Sequence, residues 1–470
     1  MSGKIEVNIS TLEQIKNFEY EQLGNIKFTS IIILTYNKLE YTKICIESIR
    51  KFTPKNQYEI IVVDNNSSDG TKEWLKEQND LIVIYNKENE GFPKGCNQGI
   101  EISKGESILF LNNDTIVTPN WLNNLDKLLY SDDSIGAVGS ISNSCSNGQI
   151  INVNYNNFDE MIDLSKIINN QNKIDYTYKT YLVGYCYLVK KSIIDKVGYF
   201  DEIFTPGNFE DNDLSYRISS FGYKLLLCKN SYIHHFGSVS FKSNSEEYYK
   251  LYMENLDKLK GKWGFDVIEK SFSGLSISTY LNNDKNLKIL EIGCGIGATY
   301  FNVLQLNKNI DYYGIEKLEG AFNISKKFFN VKNINIENED ITYDENYFDY
   351  IILSEKIQMY NNPINILKKI SKYLKKDGYI ITSITNIMHI SKIKEILFGS
   401  QNSGGFTANQ IQSIFTSAGY KIENMNLKQL QLQKEDIDLI DKICSISSEQ
   451  LKNQYLTYEY EIKASKIETI

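Results

Sequence analysis

From Ser30 to about Phe241 the chain repeats one pattern, in which short apolar runs end in polar residues and are followed by amphipathic stretches. The runs TSIIILTYN (29–37), YEIIVVDNNSSDG (58–70), LIVIYN (81–86) and SILFLNND (107–114) read as strands. Between them, Leu39, Ile44, Ile46 and Ile49 recur at helical spacing over Leu39–Phe52, and Thr71–Gln78 is a second helical stretch. GFPKGCNQGIEISKG (91–105) reads as a glycine-punctuated loop and helix. Apolar runs of strand length joined by helices predict a mostly parallel α/β sheet. Ligands on such sheets bind beyond the carboxyl ends of the strands. Polar residues gather at those ends: Thr35, Asn37, Asp64, Asn112, Asn113 and Asp114.

Near Lys262-Trp-Gly-Phe265 the pattern stops. A polar stretch of helical character, Asp266–Asn283, leads to LKILEIGCGIG (287–297) and a second α/β series. The expected division is an N-terminal extension (1–27), a first domain (28–264), a linker (265–284), a second domain (285–424) and a helical tail (425–470). The tail is read as helical, a solvated amphipathic cap ahead of a docking or dimerising helix, because charges alternate there with Ile and Leu. A length of 470 residues exceeds one ordinary core, which agrees with two domains.

Composition narrows the class. With 41% hydrophobic and 23% charged residues the chain is globular in type. A net charge of −8 argues against binding nucleic acid through a basic face. The N-terminal residues lack the apolar core of a signal peptide, and runs such as Ile108-Leu-Phe-Leu111 are too short to span a bilayer. Seven cysteines without a C-x-x-C pair suit free thiols, so a cytoplasmic location is expected.

The first half carries four blocks of interest. Asp64 ends a strand before a turn rich in Asn, Ser and Gly; it is either a ligand-binding carboxylate or a turn former. NKENEGFPKGCNQGI supplies Gly91, Gly95 and Asn97, where glycines admit a close backbone approach and the amide can hydrogen-bond a ligand. NNDT places the carboxylate of Asp114 at a strand end, a device for oxygen-preferring cations. The fourth, from Val197 to Phe241, contains Glu210-Asp-Asn-Asp-Leu214 and the doublet His234-His235. In order, these blocks resemble family 2 glycosyltransferases of the GT-A fold over roughly residues 28–264. The resemblance implies nucleoside or sugar contacts from Thr35, Asn37, Asp64, Gly91, Gly95, Asn97, Asn112 and Asn113. It implies a Mn2+ or Mg2+ site at Asp114, where Asn112 replaces the first Asp of the family's D-x-D. It assigns the base that activates the acceptor hydroxyl to Asp211, with Glu210 and Asp213 orienting the acceptor or capping the helix. His235, five residues before Ser240, matches an H-x-x-x-x-S spacing and becomes a second metal ligand. His234 alternates with it along a strand and is expected to face the other way, as a packing residue.

In the second half, Glu291-Ile-Gly-Cys-Gly-Ile-Gly297 follows an apolar strand. It resembles the E-x-G-x-G-x-G signature of class I S-adenosylmethionine-dependent methyltransferases, a Rossmann-like α/β fold, though Gly293–Ala298 also fits a dinucleotide pattern. The resemblance implies cofactor contacts from Glu291, Gly293, Gly295 and Gly297, from Glu316 to the ribose and from Asp340 near adenine. Where many relatives carry L-E-H, this chain has Ile357-Gln358-Met359, so a carboxylate and an imidazole are both missing.

The expected function is therefore metal-dependent, inverting transfer of a sugar from a nucleotide-diphosphate donor. UDP-sugars are favoured and dTDP-rhamnose is left open. The expected acceptor is a hydroxyl of a bacterial surface glycan or of a glycoprotein such as flagellin, with methylation of the glycan by the second domain. The alternative is a glycosyltransferase whose second domain is inactive, binding cofactor or serving as a scaffold. A carbohydrate-binding scaffold and a dehydrogenase are weaker readings. Peripheral membrane association and oligomeric state stay open.

Overall fold

A computed structural model describes residues 3–20, 24–170, 173–237, 246–272, 276, 280–281, 286–399 and 404–467. Ser240 lies outside them. The chain divides into two units, Met1–Trp263 and Gly264–Ile470.

The first unit is built on strands β1 (Thr29–Thr35), β2 (Tyr58–Asp64), β3 (Leu81–Tyr85), β4 (Ser107–Leu111), β5 (Thr115–Ile116), β6 (Ile135–Ser142), β7 (Tyr176–Lys179), β8 (Cys186–Lys190) and β9 (Lys224–His235). They form one sheet in the order β3-β2-β1-β4-β8-β6-β9-β5, with β7 also on β9. β1, β2, β3 and β4 are parallel. β8 runs antiparallel to both β4 and β6. Strand alternation feeds two cores: Ile31 and Ile33 pack with Ile49 and Phe52 on one face, and Ile32 packs with Cys96 and Ile100 on the other. The N-terminal extension belongs to this unit, because Ile15 of the helix Ile9–Asn17 is buried in the first core.

The second unit contains β10 (Leu287–Ile292), β11 (Ile310–Glu316), β12 (Asn330–Asn333), β13 (Phe348–Leu353), β14 (Leu374–Thr385), β15 (Tyr420–Gln429) and β16 (Thr457–Lys466). Their order is β12-β11-β10-β13-β14-β16-β15, parallel from β10 to β14, with β16 antiparallel to both its neighbours. Both units are thus α/β with mostly parallel sheets.

Two expectations about this unit are corrected. The helical tail over 425–470 holds one long helix, Lys434–Ile446, but its last strand, β16, sits inside the sheet between β14 and β15. Tyr460, Ile462 and Ala464 supply a buried face of period two. Their polar partners Glu459 and Glu461 are also buried, against Lys428, so the charges that looked solvated are internal. Within Asp266–Asn283, helix among the described residues covers Val267–Lys270 alone, and Tyr280 and Leu281 enter a core with Leu287 and Ile289. No described helix is long and apolar enough to cross a membrane.

Candidate active site

The parallel strands β1, β2 and β4 deliver Thr35, Asp64 and Asn112–Asp114 to one edge of the first sheet. Immediately beyond, β5 pairs antiparallel with the end of β9, setting Thr115 opposite His235. This short ladder brings the Asp114 carboxylate to the His235 ring, with Oδ1 3.2 Å from Nε2. Both residues are buried.

The histidine is oriented from several sides. Its main-chain N–H donates to Asn143 Oδ1 at 2.9 Å, and its ring stacks on Tyr185 at 5.2 Å and 14°. Nδ1 lies 2.7 Å from the Ser144 carbonyl, which can only accept, so Nδ1 carries a proton. Nε2 has no aligned hydrogen bond, although it faces the carboxylate. A neutral ring would thus turn its lone pair toward a carboxylate oxygen, and a positive charge is needed between them. Burial disfavours the charged ring, yet the Asp114 carboxylate and the Ser144 carbonyl outweigh it and raise His235 above an ordinary histidine. A divalent cation satisfies the same geometry, so the pair fits one nitrogen and one oxygen ligand of a metal. Among the described residues no group of three His, Cys, Asp or Glu side chains is placed to hold a metal ion, so further ligands have to come from the donor's phosphates or from water.

His234 faces the opposite side. Its Nδ1 lies 2.5 Å from the Tyr155 hydroxyl and its ring meets Phe236 edge-on at 4.5 Å. Burial, with the neighbouring His235, pushes its pKa down to about 3, so it is a neutral packing residue.

The acidic block opens the helix Glu210–Ser220, after two successive left-handed residues, Asn208 (φ 79°) and Phe209 (φ 73°). A phenylalanine at positive φ is a strained position, and it turns the first helical side chains toward the sheet edge. Asp211 accepts the Gly184 N–H at Oδ2 (2.9 Å) and the Asn212 N–H at Oδ1 (2.8 Å), and keeps part of its surface open. The residue after Gly184 is Tyr185, which stacks on His235 and accepts the Asn112 N–H at 2.9 Å. Residues 184–185 therefore connect Asp211 to the Asp114–His235 pair. Burial raises the pKa of Asp211, and burial with the Asp211 charge raises Glu210 to about 8. Two adjacent carboxyls ionise one at a time, and Asp211, with two N–H donors, is the ionised member. Glu210 is buried with its Oε2 unpartnered.

Asp213 is a correction. It is fully buried, and its oxygens hold Arg217 Nε (2.8 Å), Trp263 Nε1 (2.9 Å) and Lys262 Nζ (2.7 Å). It cannot meet an acceptor; it locks the base-bearing helix to the end of the helix Glu246–Trp263. The Lys262-Trp263 pair supplies two of those contacts.

Of the nucleotide-binding expectations, Asp64 is buried and accepts the Ser67 N–H at 3.2 Å. Asn37 accepts the Ser68 N–H, and Thr35 and Asn113 are linked through Thr42. The glycine block is corrected. A Cβ on Gly95 would lie 2.2 Å from Leu34 Cδ1, Gly91 abuts Pro206, and Asn97 is engaged by Phe200 and Glu202. These three residues close the helix Gly91–Ile102 onto the fold and present nothing to a ligand.

In the second unit the glycine loop follows β10 as the signature requires, but its partners are internal. Glu316 is buried; its Oε2 accepts the Gly295 N–H at 2.8 Å and lies 3.8 Å from Lys270 Nζ, while Oε1 accepts the Leu318 N–H at 2.9 Å. A Cβ on Gly295 would stand 2.8 Å from the Lys270 carbonyl oxygen, and one on Gly293 2.8 Å from the Glu355 nitrogen. Gly297 faces Phe329. Glu291 is buried against Ser354 and Tyr312 and is a brace, not a ligand contact. Asp340 is corrected too: its side chain is 98% exposed and pairs with Lys369. As arranged, this loop does not fit S-adenosylmethionine, because the ribose carboxylate and the glycine face are occupied by the chain itself. No sequence signal marked Lys270, Glu355, Ser144 or Tyr185.

Comparison with known proteins matches residues 30–198 to "Glycosyl transferase family 2" and residues 269–462 to "Methyltransferase domain". The first unit is similar to glycosyltransferase AglE of Haloferax volcanii, 36% identical over 104 residues, covering 21% of this chain and 34% of that protein. It is also similar to poly-beta-1,6-N-acetyl-D-glucosamine synthase of Staphylococcus aureus, 27% identical over 222 residues, 46% of this chain and 50% of that protein. A solved structure of GalNAc-T7 with UDP, GalNAc and Mn2+ matches with a TM-score of 0.41 at 17% identity, covering 55% of this chain and 52% of that one. The chain thus spans half or less of the length of these two curated relatives. Residues 30–198 are thus a domain that matches the model of glycosyl transferase family 2, and residues 269–462 one that matches the model of a methyltransferase domain.

Proposed function

We propose that the first unit transfers a sugar from a nucleotide-diphosphate donor to an acceptor hydroxyl with inversion, Asp211 being the base. The observation that carries this is the continuous set Asp211–Gly184–Tyr185–His235–Asp114, which sets an ionised, partly open carboxylate beside a cation-seeking pair. Asp211 takes the proton of the acceptor hydroxyl, whose oxygen attacks the anomeric carbon from the face opposite the leaving group. The bond from that carbon to the diphosphate breaks, and the diphosphate departs with the electron pair. Asp114 and His235 would hold Mn2+ or Mg2+, which when bound offsets the charge of the diphosphate. Asp64, Thr35 and Asn37 lie at the same edge to receive the nucleoside, and a UDP-sugar is the favoured donor. Nucleotide sugars are cytoplasmic metabolites, which supports that location. The Staphylococcus aureus relative, by its name, makes a glycan, which supports a glycan product here.

A panel of nucleotide sugars with Mn2+, scored for nucleoside diphosphate release by wild type and Asp211→Asn, tests the assignment. Undiminished turnover in the variant would remove Asp211 from the role of base. For the second unit, the closed glycine loop favours a scaffolding or cofactor-gated domain over a constitutive methyltransferase.

A further inference from the structure

We infer that Gln149 is a positioning residue for the transfer reaction, acting on Asp211 by fixing residues 183–185, the piece of chain that links the base to the Asp114–His235 pair. The inference rests on the reading of Asp211 as the base and deepens it.

β6 ends at Ser142, and the chain then closes a loop on that residue. The Ser142 N–H donates to the Gln149 carbonyl at 2.9 Å, and the Ile151 N–H donates to the Ser142 carbonyl at 2.8 Å. The first residues of the loop hold His235. Asn143 accepts the His235 N–H at Oδ1 (2.9 Å) and donates from Nδ2 to the His235 carbonyl (3.2 Å), while the Ser144 carbonyl takes the proton of the ring Nδ1. The last residues hold a different segment. Asn147 Nδ2 donates to the Tyr181 carbonyl at 2.6 Å, and Gln149 Oε1 accepts the Val183 N–H at 2.8 Å. One loop therefore grips both the cation-seeking histidine and the approach to Gly184.

Gln149 is fully buried and uses both ends of its amide. Oε1 holds Val183, and Nε2 donates to the Ser140 carbonyl at 3.2 Å. That same carbonyl accepts the Tyr185 hydroxyl at 2.6 Å. Val183 and Tyr185 are thus tied to one point of β6, the first through its main chain and the second through its phenol. Gly184 stands between them, donating its N–H to Asp211 Oδ2 at 2.9 Å, and the Tyr185 ring stacks on His235. Glutamine is the side chain of this length that accepts and donates at once without ionising. Without it the Val183 N–H loses its acceptor, and the neighbouring Gly184 N–H is free to shift against Asp211. A general base works only within hydrogen-bond reach of the proton it takes, so a displacement of about 1 Å is felt in the rate of the chemical step.

The test uses the full chain with saturating Mn2+ and the nucleotide sugar that wild type turns over fastest, scored as nucleoside diphosphate release. Gln149→Met keeps the length of the side chain and removes both hydrogen bonds. Its kcat is expected to fall about tenfold or more with the KM for the donor near wild type, because a displaced base slows chemistry without weakening donor binding. Asn147→Gly keeps the left-handed backbone at this position (φ 55°) and removes the second grip; its kcat is expected to fall about threefold. On an Asp211→Asn background both substitutions are expected to cost nothing further in kcat, since the group they position is already lost. A merely structural role predicts lower melting temperatures with kcat per folded molecule unchanged, and that result in both variants would overturn the proposal. So would penalties that persist in full on the Asp211→Asn background. If Gln149→Met does not fold, Asn147→Gly, alone and with Asp211→Asn, decides by the same two readings. Undiminished turnover by Asp211→Asn, or a wild type that turns over no donor, would instead remove the reading of the first unit, and the role of Gln149 with it.

Discussion

Both units place a carboxylate at the carboxyl end of the second strand of a parallel sheet, and the two fare differently. In the first, the Asp64 carboxylate accepts, among the described residues, the Ser67 N–H alone, and Asp211 and Asp114 lie on a connected edge. In the second, Glu316 is closed in by Gly295, Leu318 and Lys270 before any ligand arrives. The residues of both motifs are present. What separates the sites is whether the surrounding chain has already satisfied them, which is a property of packing and not of the motif.

The largest expected effect in that comparison is on the open site. Asp211→Asn keeps the shape and one of the two N–H contacts, because the amide oxygen accepts and its NH2 does not, and it cannot take a proton. Transfer should fall by about 10²- to 10⁴-fold, the usual worth of a positioned general base. Measurement of nucleoside diphosphate release with acceptor present checks this. Donor hydrolysis in the same variant reports whether the donor still binds.

The adjacent histidines sharpen the comparison at smaller scale. His235→Ala should raise the Mn2+ concentration needed for half-maximal donor turnover by about tenfold or more, because a nitrogen ligand and its Ser144 orientation are lost together. His234→Ala should leave that midpoint near wild type and lower stability by about 2 kcal/mol through loss of packing on Tyr155 and Phe236. Manganese titrations and thermal melts of both variants separate the two roles. Equal metal midpoints in the two variants would return His235 to packing.

Much of this was legible in the residues. Strand-length runs such as Ile31-Ile-Ile-Leu34 and the spacing over Leu39–Phe52 specify elements directly, because their periods are local. The alternation of His234 and His235 was readable for the same reason. The contacts that decide availability were not. Asp213 looks like Asp211 in sequence, yet Lys262 and Trp263, about fifty positions later, occupy it. Asn97 looks like a ligand residue until Phe200 closes on its amide. β16 reads as tail because Glu459 and Glu461 look solvated, whereas the fold pairs Glu459 with Lys356 and Lys428 and gives Glu461 Lys428, the Ser276 N–H and the Tyr280 hydroxyl. Long-range partners have no local period, so a single sequence does not display them.

A third prediction attacks the closed site itself. If the Lys270 ammonium helps to keep Glu316 occupied, Lys270→Ala, which leaves the main-chain carbonyl against Gly295 in place, should weaken that closure. Titration calorimetry with S-adenosylhomocysteine should then show affinity about tenfold above wild type. An unchanged or weaker affinity would mean that Lys270 is not what closes the loop, and the contrast between the two units would have to rest on Glu355 instead.

The smallest expected effect lies beneath that loop and depends on pH. Burial raises the Glu291 carboxyl to about 7, although hydrogen bonds from Ser354, Thr299 and Tyr312 lower it in part. In the unfolded chain the same group titrates near the ordinary glutamate value of about 4.3. Between those values the folded state binds the proton and the unfolded state does not, so stability declines as pH rises. The contribution is whole below the unfolded value and is lost as pH passes through about 7. Glu291→Gln keeps the volume and a hydrogen-bonding side chain but cannot ionise. The variant should therefore lose this part of the fall in Tm between about pH 5 and pH 8, while the first unit, which does not contain the residue, keeps its own profile. Melting curves for wild type and variant across that range, followed by a probe confined to the second unit, measure the difference. A fall of equal slope in both proteins would mean that Glu291 is ionised in the fold already and that the brace under the glycine loop is charged.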